Sequence, residues 1–163
     1  MTTTLHTARR PQGRSRVTAL LLTGSSNHRV VVSLLTWLGA SGMVVSGAIH
    51  LHLYALAYRH IPTIGPLFVV QGVAAVLLAL TAAVLRRVWT ALLGTGMMLA
   101  TLAGFLISVN YGLFGFQDSF AGSDAVGAFV VEIVSAVLCL AAAAFALRGR
   151  TARSDWAGGT AQP

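Results

Sequence analysis

The stretch Leu80-Thr81-Ala82-Ala83-Val84-Leu85-Arg86-Arg87-Val88-Trp89-Thr90-Ala91-Leu92-Leu93 decides how this chain folds. An apolar block lies on each side of Arg86-Arg87, at about 63–85 and about 88–112. Joined as one helix of about 50 residues, they would span roughly 75 Å, over twice a ~30 Å hydrocarbon core. The chain must therefore turn at the arginine pair, and the two blocks form a helical hairpin.

Two more apolar blocks, at about 30–57 and about 124–147, flank this hairpin. Each block exceeds the ~20 residues needed to cross a bilayer. Backbone inside lipid must satisfy its own hydrogen bonds, so all four are expected to be helices. The expected fold is an all-α transmembrane four-helix bundle with helices at about 30–57, 63–85, 88–112 and 124–147. Residues 1–29 read as a mobile basic cytoplasmic tail, 30–147 as the transmembrane domain and 148–163 as a disordered cytoplasmic tail. The first apolar run is too long for a signal-peptide core, so it reads as an uncleaved helix.

Composition agrees. Hydrophobic residues make up 56% of the 163 and charged residues 9%, against roughly 25% charged in soluble domains. The partner implied is the lipid bilayer. The net charge of +7 does not point to nucleic acid, because the arginines sit at the ends of apolar segments. The single cysteine, Cys139, excludes an intramolecular disulfide and Cys-x-x-Cys chemistry.

Orientation follows from the arginines. Arg9, Arg10, Arg14, Arg16, Arg29, Arg86, Arg87, Arg148, Arg150 and Arg153 fall on one side, and Arg59 alone on the other. The positive-inside rule places both termini in the cytoplasm of a bacterial plasma-membrane protein. Trp89 on the inner side, and Tyr54, Tyr58 and Tyr111 on the outer, fit interfacial belts.

Small residues let membrane helices approach closely. The third helix carries Gly96, Ala100, Gly104, Ser108 and Gly112 at intervals of four, expected to serve helix packing within the chain or against another copy. Gly39, Gly42 and Ser46 on the first helix, and Ala128, Ser135, Ala136 and Cys139 on the fourth, form similar faces.

Polar residues inside membrane helices are rare and need a partner or a role. At 100° per residue, His50 shares the Gly42/Ser46 face, Glu132 the Ala128/Ser135 face, and Gln71 the Ala74/Ala75 face of the second helix. At ~1.5 Å per residue, His50 lies about 10 Å below the outer helix ends, and Gln71 and Glu132 about 12 Å. The three form one polar layer in the outer half. Two readings stand: a neutral Glu132 hydrogen-bonded to His50 or Gln71 that fixes register, or a cavity lining that binds a metal, a quinone or a polar head group, or relays a proton.

Secondary outer-side candidates are His52, Arg59, His60 and Asn110. His50 and His52 face opposite ways on a helix, so they cannot share an ion with His60 without unwinding. Two-histidine haem ligation would need a second copy, since the intramembrane histidines lie on the first helix. No cofactor is expected; metal or haem is the alternative. Arg59 is a candidate partner of Asp118 or Asp124, and Asn110 reads as a solvated end residue. No G-x-S-x-G, phosphate-binding glycine loop or H-E-x-x-H is present.

Gly47-Ala-Ile-His-Leu-His-Leu-Tyr54, followed by Tyr58-Arg-His-Ile-Pro-Thr-Ile-Gly-Pro-Leu-Phe68, resembles a group of small uncharacterised four-helix membrane proteins of high-GC bacteria. In that group a histidine-bearing first helix leads into an Arg-x-Ile-Pro-x-Ile-Gly turn. The resemblance implies a four-helix bundle and no particular activity. In size and topology the chain is also loosely similar to the DoxX-like group. Small multidrug transporters place their essential Glu on the first helix, whereas Glu132 lies on the fourth.

With no catalytic set and short loops, the leading expectation is a non-enzymatic accessory or assembly subunit, as a homo-oligomer or with a partner membrane protein. The alternatives are a small binding or transport bundle using His50, Gln71 and Glu132 for a cation, proton or amphiphile, and a haem- or quinone-linked redox subunit.

Overall fold

The computed structural model describes the backbone from Gly13 to Gly159, and side chains over residues 27–149. Four helices follow in order: α1 (Gly13–Leu56), α2 (Ile64–Leu85), α3 (Val88–Tyr111) and α4 (Ser123–Gly159), with a short 3₁₀ turn at Tyr58–His60 between α1 and α2. The segments Asn27–Leu56, Ile64–Leu85, Val88–Tyr111 and Ser123–Gly149 are long and apolar enough to cross a membrane. The fold is the expected all-α four-helix bundle, and the chain is a multi-pass membrane protein.

The distribution of side-chain size supports this. The interior is built from small residues such as Ala75, Ala79, Ala136, Ala142, Ser46 and Ser135, while Val70, Val84 and Val137 lie 62%, 78% and 61% exposed. In water such a surface would drive association. In lipid it meets acyl chains, and the helices are held by close approach of small residues instead.

α2 and α3 begin and end within one residue of the boundaries expected. α1 and α4 do not. They continue into the segments read as tails, starting at Gly13 and ending at Gly159. Hydropathy marks where lipid ends, whereas a helix needs only its backbone bonds, and Arg, Ala and Leu are good helix formers. Residues 1–12 and 160–163 of those tails lie outside the described residues.

α1 packs along α2 on one side and α4 on the other, and α3 packs on α4. α2 and α3, though consecutive, touch less than any of these pairs. They are joined at Arg86, which takes the left-handed conformation at φ 47° and returns its N–H to the Ala82 carbonyl at 3.0 Å.

Glycines set the close crossings. A Cβ on Gly47 would lie 2.8 Å from the Gly72 carbonyl oxygen, and one on Gly72 would lie 2.6 Å from Leu51 Cγ. Gly42 on α1 faces Ser135 on α4, where a Cβ would collide with the Ser135 hydroxyl. The expected small-residue faces of α1 and α4 therefore do pack on each other.

Inside the chain the α3 stripe is largely uncovered. A Cβ added at Gly96 or Gly104 would meet nothing within 4 Å, and Ala100 is exposed. Of Gly96, Ala100, Gly104 and Ser108, only Ser108 is buried. Inside the chain α3 packs through Thr90, Ala91, Gly94, Thr95, Met98 and Leu102. α3 has small residues on two faces, and α4 takes the Gly94 face while α2 stands away from the other.

The turn entering α2 is strained. Thr63, a β-branched residue, has φ 67° and ψ −49°, and Ile64 N–H reaches back to the Pro62 carbonyl at 2.8 Å. This is a γ-turn in its rare positive-φ form. Gly65 follows because a Cβ there would sit 2.7 Å from the Tyr58 carbonyl oxygen. The connection after α3 folds back as a tight turn. Leu113 and Phe116 exchange backbone bonds of 2.7 and 2.9 Å around Phe114 and Gly115, both at positive φ, the geometry of a type I′ turn.

Candidate functional site: a cavity between α2 and α3

The polar layer is built on α1 and α4. His50 is 8% exposed, and its Nδ1 lies 2.9 Å from the Ser46 carbonyl one turn earlier. A carbonyl can only accept, so Nδ1 carries the hydrogen and Nε2 of the neutral ring presents a lone pair. That Nε2 lies 3.8 Å from Glu132 Oε1. The same carboxyl oxygen accepts a bond from Ser46 Oγ at 3.0 Å. Glu132 is 2% exposed and Ser46 fully buried. The structure thus brings His50 and Glu132 together. Ser46, read from sequence only as a small packing residue, is the group that joins them.

Gln71 does not join that network. Its Nε2 is buried and has no hydrogen-bond partner. Together with His50 it lines a cavity of about 330 Å³ between α2 and α3, within the range of ligand pockets. Phe68 and Ala74 contribute from α2, and Thr101, Gly104, Phe105 and Ser108 from α3. Glu132 is behind His50 and outside the lining. The cavity reaches the surface at Leu67, Val70 and Ala100, all exposed, so its mouth lies on the lipid-facing side between the two helices.

Leu113, Phe116 and Asp118 of the second connection close its end. Tyr58 stacks on Phe68 with ring centres 4.3 Å apart and 15° between planes, and meets Phe116 edge-on at 5.5 Å. The Tyr58 hydroxyl donates to Asp118 at 3.3 and 3.4 Å from the two carboxylate oxygens. Burial, followed by the charge of Asp118 and this hydrogen bond, pushes the Tyr58 phenol up to about 12. Phe68 also lies 5.0 Å from the His50 ring. Asp118, Tyr58, Phe68, His50 and Glu132 therefore form a continuous row from the connection into the core.

The secondary candidates fall elsewhere. His52 is exposed, on the opposite face of α1 from His50. Arg59 pairs with neither Asp118 nor Asp124; its Nε donates to His60 Nε2 at 2.8 Å. Asn110 is exposed to the extent that its amide only donates back to the Leu106 carbonyl at 2.8 Å. Among the described residues no three His, Cys, Asp or Glu side chains gather as a metal ligand set.

Sequence reasoning missed Phe68 and Phe116 as wall residues and Tyr58 as the ring stacked on Phe68. The only signal was Tyr58 and Phe68 flanking the Ile-Pro-x-Ile-Gly turn, which brings their rings onto one side. No family model, curated protein or solved structure matches this chain.

Proposed function

We propose that this is a plasma-membrane binding protein, non-enzymatic, that takes a small membrane-dissolved molecule into the cavity between α2 and α3. Both termini and Arg86-Arg87 face the cytoplasm in this reading, supported by the ten-to-one placement of arginines. The observation that carries it is the buried Gln71 Nε2 left without a partner inside a largely apolar cavity. Buried donors are almost always satisfied, so a ligand that enters there gains a bond the protein alone leaves unmade. The lateral mouth favours a molecule that arrives from the bilayer.

The test is solvent extraction of the purified protein followed by mass spectrometry, with Gly104→Trp filling the cavity. A small amphiphile recovered near one per chain from the wild type and lost from the variant is expected. Equal recovery from both, or none from the wild type, would overturn the reading.

A second reading, an accessory subunit that associates through α3, is favoured by the uncovered Gly96/Ala100 face. It predicts that Gly96→Leu reduces the detergent-solubilised mass or releases a partner; an unchanged complex would exclude it.

A further inference from the structure

We infer that the cavity ligand is an uncharged amphiphile whose head is a flat ring bearing a carbonyl oxygen, and that this oxygen accepts a hydrogen bond from Gln71 Nε2. This rests on the binding reading above and names its ligand class.

The argument comes from which lining groups are already engaged. Thr101 Oγ1 donates to the Met97 carbonyl at 3.0 Å, and Ser108 Oγ donates to the Phe116 carbonyl at 3.3 Å. His50 Nδ1 donates to the Ser46 carbonyl, and Asp118 receives the Tyr58 hydroxyl. Gln71 Nε2 is the buried side-chain donor left over. An amide N–H₂ can only donate, so its ligand partner must be an acceptor. Leaving such a buried donor unmade is unfavourable, which makes the acceptor a source of selectivity and not only of affinity.

The shape of the head follows from the walls. Phe68 from α2, Phe105 from α3 and Phe116 from the connection all face the cavity. Aromatic faces favour a flat ring in offset or edge-on contact. The charge of the head follows from the lining: among the described residues no arginine lines the cavity, and its one acidic side chain, Asp118, belongs to the connection at the cavity's end and not to the helices beside Gln71, so a charge on the head beside Gln71 would go unpaired, which is costly in this setting. The tail leaves through the mouth at Leu67, Val70 and Ala100, toward lipid.

The experiment is calorimetric titration of the full-length protein in detergent micelles with two probes of equal tail, decyl-benzoquinone and decylbenzene. Wild type is expected to bind decyl-benzoquinone about tenfold more tightly, a difference of about 1.4 kcal/mol. Gln71→Leu, which swaps the orphaned amide for an apolar side chain of similar size, should bring the two affinities together. Gly104→Trp should abolish binding of both. Equal affinities in the wild type, or a preference that survives Gln71→Leu, would overturn the carbonyl-head inference while leaving the cavity as a binding site. If neither probe binds the wild type, or Gly104→Trp changes nothing, the binding reading itself fails. The wild-type comparison of probes does not depend on either variant folding.

Discussion

Gly47→Ala should destabilise the bundle by about 1–2 kcal/mol. The added methyl would sit 2.8 Å from the Gly72 carbonyl oxygen, 3.2 Å from Val76 Cγ2 and 3.3 Å from Ala75 Cβ. The first of these is backbone and cannot rotate away, so α1 and α2 must separate. Overpacking of this kind costs about 1–3 kcal/mol. Replacing a helical glycine by alanine returns up to ~1 kcal/mol of helix propensity, and the net loss is the difference. Gly96→Ala is the matched control, since nothing lies within 4 Å of a Cβ there. It should be neutral or up to ~1 kcal/mol more stable. The assay is unfolding of purified protein by increasing mole fraction of sodium dodecyl sulfate, followed by circular dichroism. If Gly47→Ala proves as stable as Gly96→Ala, α1 and α2 do not cross in close contact at Gly47 and Gly72, and the account of the small-residue interior is wrong.

Two further outcomes test the polar layer and its outer neighbour. Glu132→Gln keeps an acceptor for Ser46 Oγ and should stay within about 1 kcal/mol of wild type, whereas Glu132→Leu strips the acceptor from a fully buried hydroxyl and should lose about 1–3 kcal/mol; equal stability of the Leu variant would mean that the layer does not hold the helices in register. In an ultraviolet titration of tyrosinate, Tyr58 should ionise near 12 in place of its usual 10.0, and Asp118→Asn should bring it part of the way back, because burial, the larger cause, remains. The neutral phenol is the form the fold favours, so stability tied to Tyr58 is intact below pH 10 and declines as pH rises toward 12. A titration unmoved by Asp118→Asn would break the assigned Tyr58–Asp118 pair.

Hydropathy and charge made the four spans legible, because bilayer thickness imposes a length and Arg86-Arg87 interrupts it. The same signals could not locate the ends of α1 and α4, since a helix continues through polar sequence as readily as through apolar. Face arithmetic on single helices brought His50 and Glu132 together correctly, because α1 and α4 are in contact along their length. It left the partner of Gln71 open, because the surroundings of that side chain depend on how far α2 stands from α3, a distance that no periodicity encodes. For a related reason the sequence left open whether the α3 stripe packs inside the chain or against another copy. Gly94 and Gly96 are equally small, and only the position of α4 decides which of them is covered. Arg59 donates to its neighbour His60, a local contact that the spacing of charges along the chain does not indicate.

The link at Arg86 gives the cavity a mechanical character. α2 and α3 are pinned together at that end and part toward the other, like a pair of tongs. α2 has 22 residues and is therefore about 33 Å long, so each degree of rotation at the pivot moves the far end by about 0.6 Å. The tips carry Ile64 and Phe68 on one arm and Phe105 and Ser108 on the other, and the tight turn of Leu113–Phe116 bridges the gap above them. The close approach of Gly47 and Gly72 ties the α2 arm to α1, and the seating of Gly94 against Cys139 ties the α3 arm to α4, so the two arms are held by different helices. The gap opens at Leu67, Val70 and Ala100 on the lipid-facing side, so its outer wall is supplied by whatever lies beside the chain there.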